Sequence, residues 1–255
     1  MKISFLLICL LVVFSCNNQA AGVNAKDDPV LARDATAAAG DCGSRILFRK
    51  GSRLTTEARD GEGKLLASSV AEVTNVTGSG GRKVSEVSML STAPGQKESD
   101  RSTGRFSCDG NSLVMDLSAF IQKKEGMKIT SDGLAFPVRP SIGSTLPDAG
   151  YTLVVEYGGK QMKMVSTITD RKVESKEELT TPAGTFDVYK ITSRIDVKTE
   201  MPGLTPAMQQ EMEAAKAKMG KNSMIFWYDP AVTVIRSEIY VGGKLTVSNL
   251  LTSLK

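Results

Sequence analysis

The chain has 255 residues, with 32 basic against 28 acidic side chains and a net charge of +4. So mild a balance argues against a nucleic-acid partner, which calls for a basic stripe or patch. There is no histidine, which removes the Ser-His-Asp and Cys-His relays, because both need an imidazole that takes a proton near neutral pH. The common zinc sites go with it, so no metal and no cofactor is expected.

In chain order, Lys2 precedes an apolar run from Ile3 to Phe14. That length falls well short of the roughly 30 Å hydrocarbon core of a bilayer, so the run reads as a signal segment rather than a spanning helix. Two cleavage readings stay open. Val13, Phe14, Ser15 and Cys16 resemble a bacterial lipobox, giving a lipoprotein-type signal peptide over 1–15 and a lipid on Cys16. Acyl chains contribute about 0.8 kcal/mol per buried methylene, so several of them anchor a protein stably. Val23, Asn24 and Ala25 fit ordinary signal peptidase instead, with a soluble periplasmic or secreted chain starting at Lys26. Asn17 and Asn18 carry no acidic retention cue, which favours the outer membrane, facing the periplasm.

Residues 16–41 are small and polar and read as a flexible tether. Residues 42–255 then form a single antiparallel β domain, long enough for one core. With Cys9 in the signal and Cys16 at its end, Cys42 and Cys108 remain in the body. In an oxidising envelope they are a disulfide candidate, two unpaired thiols being the alternative.

Strand signals follow at short spacing. Candidates are Arg45 to Phe48, Val70 to Val76, Arg82 to Leu90, Arg105 to Cys108, Leu113 to Asp116, Phe186 to Val197, Ile225 to Tyr228 and Val232 to Val241. Leu153, Val155 and Tyr157, a turn at Gly158 and Gly159, then Met162, Met164 and Ile168 make a hairpin with one buried face. Turn chemistry also marks Asp60 to Gly63 and Gly242 to Gly243. Gly51 to Val76 faintly echoes Gly150 to Val173, which would suit two related half-sheets. One helix is expected at 205–219, with Thr205 as N-cap, Pro206 in the first turn and Gly220 as stop. The fold class is therefore mainly β: a large curved antiparallel sheet or partly closed β-barrel with one amphipathic covering helix.

Chemistry-bearing motifs are sparse. No phosphate-binding loop occurs, and Glu156, Asp170, Glu174, Glu177 and Glu178 read as solvated strand and loop positions. A carboxylate-based hydrolase needs a spatial pair of acids, which sequence does not reveal. Met208, Met212 and Met219 share a face of the expected helix. They suit either core packing, an adaptable cover over an apolar ligand, or a soft metal such as Cu(I). Trp227, the only tryptophan, lies between Phe226 and Tyr228; alternation puts it on the opposite face, where it fills a core or lines a cleft.

The phrases Thr181-Pro182-Ala183-Gly184-Thr185-Phe186-Asp187-Val188-Tyr189-Lys190, Ile225-Phe226-Trp227-Tyr228-Asp229-Pro230 and Val234-Ile235-Arg236-Ser237-Glu238 resemble the TapB-like family of exported bacterial β domains of unknown function. Ala231, Val232 and Thr233 replace the glycine usual after the Asp-Pro turn. The resemblance implies a large curved antiparallel sheet or partly closed barrel and supplies no catalytic residues. The expected role is a non-enzymatic envelope lipoprotein that binds an apolar ligand or a partner protein through its curved sheet. An assembly factor acting by protein contacts only is the alternative.

Overall fold

The computed structural model describes residues 42–255, apart from positions 80, 97, 121–125, 158–159 and most of 202–219. The signal segment, Cys16, Ala25, the tether, the Gly158–Gly159 turn and Met208, Met212 and Met219 lie outside the described residues. No α-helix is delineated among the described elements, and the covering role expected of a helix at 205–219 is not borne out: the few described positions there have helical backbone but cover nothing. The described positions within it, Ala207, Gln210, Glu211 and Ala214, are exposed.

Thirteen strands build one antiparallel sheet, curled into a half-barrel. They are β1 (Arg53–Asp60), β2 (Leu65–Thr77), β3 (Lys83–Thr92), β4 (Asp100–Cys108), β5 (Ser112–Met115), β6 (Met127–Ser131), β7 (Leu134–Pro137), β8 (Ala149–Tyr157), β9 (Lys160–Thr181), β10 (Gly184–Glu200), β11 (Asn222–Tyr228), β12 (Val234–Val241) and β13 (Lys244–Leu254). Their order is β6-β8-β9-β10-β11-β12-β13-β1-β2-β3-β4-β5-β7. The two echoing segments are thus hairpins of one continuous sheet.

Neighbours in sequence pair throughout, except in two places. β13 pairs with β1, in register from Leu54↔Leu254 to Asp60↔Val247. β6 and β7 are separated only by Asp132 and Gly133, yet β6 pairs with β8 and β7 with β5. Residues 127–137 therefore act as one strand that changes partner halfway and draws the two edges of the sheet together. Gly133 permits this: its φ is +76°, and a Cβ there would stand 2.6 Å from Val114 Cγ1. Any other residue meets both strain and overlap.

Turn chemistry set by a few residues fixes the hairpins. Pro182 and Ala183 form the two-residue turn between β9 and β10, where Gly184 takes φ +127° and Thr181 Oγ1 accepts the Ala183 N–H at 3.1 Å. Asp229 Oδ1 accepts the Ala231 N–H at 2.8 Å and its backbone N–H bonds Thr233 O, which closes the β11–β12 turn without a glycine. That turn delays β12 to Val234, two residues later than expected.

Arg45 to Phe48, expected as a strand, is a 3-10 turn over Ile46–Phe48. Its N–H groups bond locally, Phe48 to Arg45 O and Arg49 to Ile46 O, because the segment crosses the end of the sheet instead of joining its ladder. Cys42 is disulfide-bonded to Cys108 at the end of β4, with Cα atoms 5.8 Å apart. From there the chain runs past the β11–β12 turn, where Ile46 N–H meets Ala231 O, to β2, where Gly51 N–H meets Val73 O.

Candidate functional site

Alternation along the strands gives the curled sheet an inner and an outer face. Phe226 and Tyr228 point inward: Phe136 of β7 stacks on Tyr228 with ring centroids at 4.8 Å and meets Phe226 edge-on at 5.4 Å. With Leu47, Phe48, Val73, Val87, Phe106 and the disulfide they fill one end of the half-barrel. Aromatic pairs of this kind contribute about 0.5–1.5 kcal/mol beyond their buried area. The opposite end, where the β1–β2 and β12–β13 turns lie, holds a much smaller cluster. Its buried members are Ile195, Ile239 and Val247, with Leu66, Val197 and Met224 partly covered.

From the sealed end into the turn end the inner face is made of small or apolar side chains. On β1 to β3 the positions in phase with buried Leu54, Val73 and Val87 include Ala58, Ala67, Ser69, Ala71 and Met89; on β12 and β13 they include Ser237, Ile239, Val247 and Asn249. None of these carries a charge. Charged residues collect on the outer face in cross-strand and same-strand pairs, such as Arg53 with Glu72 at 2.9 Å and Lys163 with Glu200 at 3.3 Å.

Trp227 shows a different chemistry from its two neighbours. It is buried, its Nε1–H donates to Glu177 Oε1 at 2.5 Å, and the guanidinium of Arg236 lies 4.8 Å from its ring centroid, with Lys190 Nζ at 5.8 Å. Arg236 in turn donates to Glu238, a carboxylate only 4 % exposed, which also accepts the Tyr240 hydroxyl at 2.6 Å. That bond to Glu238 is the main reason the Tyr240 hydroxyl is held above its usual pKa. The Trp227 indole, the Arg236 guanidinium, the Glu238 carboxylate and the Tyr240 hydroxyl all find partners in this row or in Glu177, so Trp227 is packed and roofed by charge rather than presented to a ligand.

A cleft of about 400 Å³ opens where the sheet edges approach, lined by Arg105, Ser107, Asp116, Ser131, Asp132 and Gly133 among others. Two carboxylates thus share one polar cleft with a guanidinium. Asp116 Oδ1 is already engaged by the Ser118 N–H at 2.9 Å. Among the described residues no group of three or more Cys, Asp or Glu side chains is placed to hold a metal ion. No helix among them is long and apolar enough to cross a membrane.

Sequence reasoning offered Cys42 and Cys108 as a disulfide candidate and put Trp227 on the face opposite Phe226 and Tyr228; in the structure the two cysteines are bonded and Trp227 meets Glu177, Lys190 and Arg236. It missed two buried arginines. Arg45 donates to Pro230 O and to Val138 O, the latter at 3.4 Å. Arg171 of β9 donates to Ala135 O at 2.7 Å and Pro147 O at 2.8 Å, with its guanidinium 5.4 Å from the Phe136 centroid. Burial pulls the Arg171 pKa down to about 10. The signal that could have found it is a break of phase. Met164, Ser166 and Ile168 point inward, then Arg171 and Val173 do, because Asp170 takes φ +52° and the register slips there.

Two solved structures share this architecture. A Bacteroides fragilis protein, described as an exported protein with a YmcC-like fold, superposes with a TM-score of 0.62 at 17 % identity, covering 81 % of this chain and 96 % of that one. A Parabacteroides distasonis protein described as a lipoprotein gives 0.61 at 18 % identity, covering 82 % and 96 %. At such identities the likeness is one of fold. No curated protein matches. The sequence pattern of one family does match, over residues 49–251; the finer TapB-like likeness of the C-terminal phrases is not what this match carries. The chain belongs to the DUF3108-like family.

Proposed function

We propose that the protein is a non-enzymatic, exported envelope domain, lipid-anchored through Cys16, that holds an apolar ligand such as an acyl chain against the inner face of its curled sheet. The observation that carries the reading is the uncharged inner face that runs from the sealed end into the turn end, lined by Ala58, Ala67, Ala71, Met89, Ile239 and Val247. A face of this chemistry favours a chain of methylenes and offers no charged partner to a polar one. Export and anchoring are supported by Lys2 and its apolar run, by Cys16, and by the descriptions of the two structural relatives as an exported protein and a lipoprotein. The absence of histidine supports the non-enzymatic part.

Native mass spectrometry and lipid extraction of protein purified from its own envelope test the ligand. A lipid-like molecule should accompany the natural protein and be lost in Ala71→Glu, whose circular dichroism stays unchanged. Recovery of no such molecule, together with a stoichiometric protein partner from crosslinking in cells, would replace this reading with an assembly role. Intact mass of the mature N-terminus separates an acylated Cys16 from a chain starting at Lys26.

A further inference from the structure

We infer that the seam between β7 and β9 is where the curled sheet opens, and that Arg171 is the latch that holds it shut. Elsewhere the sheet is bonded by long ladders, the β9–β10 pairing alone running from Gly184↔Thr181 to Glu200↔Lys163. At the seam there is no strand-to-strand ladder, since β7 pairs with β5 and β6 with β8. What ties the two sides is the segment at 143–146, bonded to the β9 backbone through Gly143 N–H to Val173 O, Leu146 N–H to Arg171 O and Val173 N–H to Ser144 O, plus Asp132 N–H to Gly150 O. Across this thin joint reaches the Arg171 guanidinium, which binds carbonyls on both β7 and the connecting segment, Ala135 O and Pro147 O.

Three features mark the arrangement as a device rather than ordinary packing. Arg171 is 1 % exposed, and its guanidinium hydrogen-bonds carbonyls while the Asp148 carboxylate acts on it only through its field, so its charge is held by a tie that loses strength as soon as water enters. Asp170, the only described non-glycine residue with positive φ, creates the kink that aims Arg171 inward, which is strain spent on one side chain. Phe136 lies under the guanidinium and on Tyr228, so releasing Arg171 also frees the wedge that fixes β7 on the interior. An open seam gives the inner face a lateral entrance. That consequence rests on the ligand reading above; the opening itself does not.

Residue-resolved amide hydrogen exchange of the natural protein and Arg171→Met tests it. The methionine fills the space and donates nothing. The seam amides of Asp132, Gly143, Leu146 and Val173 should exchange roughly tenfold faster or more, while those of Arg53 on β1, Val73 on β2 and Lys255 just after β13 keep their rates. Arg171→Lys, which keeps the charge but not the fork that spans two carbonyls, should restore only part of the protection. A uniform rise over all these amides would make Arg171 a general stability residue and overturn the latch, as would seam amides that exchange no faster than before. If the seam opens as described and lipid extraction still yields nothing, the latch stands and the ligand reading falls.

Discussion

The two ends of the half-barrel are built from the same strands yet hold very different interiors. At the sealed end, aromatic rings, a disulfide, two buried arginines and the crossing segment at 42–48 pack around Phe136. At the turn end, three buried aliphatic side chains suffice, with partly covered neighbours. On the ligand reading proposed above, stability and the apolar guest surface lie in different parts of one sheet. Dense packing leaves no room for a guest, and a guest site does not need dense packing.

Substitutions at the two ends should break this contrast or sharpen it. Phe136→Ala should cost about 3–5 kcal/mol in chemical denaturation, since it empties the centre of the aromatic stack; a loss below about 1 kcal/mol would mean the sealed end does not carry the fold. Replacing Cys42 and Cys108 together by serine should cost about 2–4 kcal/mol, and reduction of the natural protein should reproduce the same shift. Tyr228, pushed up to about 12 chiefly by burial, gives the sealed end a pH signature. Its unfolded hydroxyl titrates near 10, so its contribution is complete below pH 10 and is lost as pH climbs through 12, by roughly 2–3 kcal/mol. Tyr228→Phe should flatten that part of the stability curve. At the turn end, Ile239→Val should cost only about 0.5–1.5 kcal/mol, with any lipid binding weakened more than the fold. Smallest of all, Glu177→Gln keeps a hydrogen bond to Trp227, so stability should move by less than about 1 kcal/mol while the tryptophan emission shifts.

Much of the fold was legible because period-two patterns and turn residues are local. β3, β10, β11 and the Pro182–Ala183 turn could be read from alternation and from the demands of φ alone. The short edge strands β6 and β7 could not, since Met127–Ser131 and Leu134–Pro137 owe their pairing to distant strands and have little pattern of their own. The buried arginines were hidden for another reason. Arg171 follows an acidic residue in a run that alternates cleanly up to Ile168, and only the left-handed Asp170 turns it inward. Of the expected ligand-facing residues, Trp227 could be given a face but not its ionic roof, because Glu177 comes from β9 and Arg236 and Glu238 from β12, both outside its own strand. The inner face itself was out of reach: small residues such as Ala58, Ala67 and Ala71 become a surface only when the curl sets them side by side.

The pairing of β13 with β1 has a bearing on how the chain assembles. The middle of the sheet joins the first and last of the described strands, residues nearly two hundred apart, so the spine of the fold is its latest contact to become possible during synthesis. Until then the molecule is two half-sheets hinged on a single strand, each with an uncovered edge. Closure of so distant a pair is slow by nature. During that interval β1 and β12 are the edges that a chaperone, or another copy of the chain, would meet first.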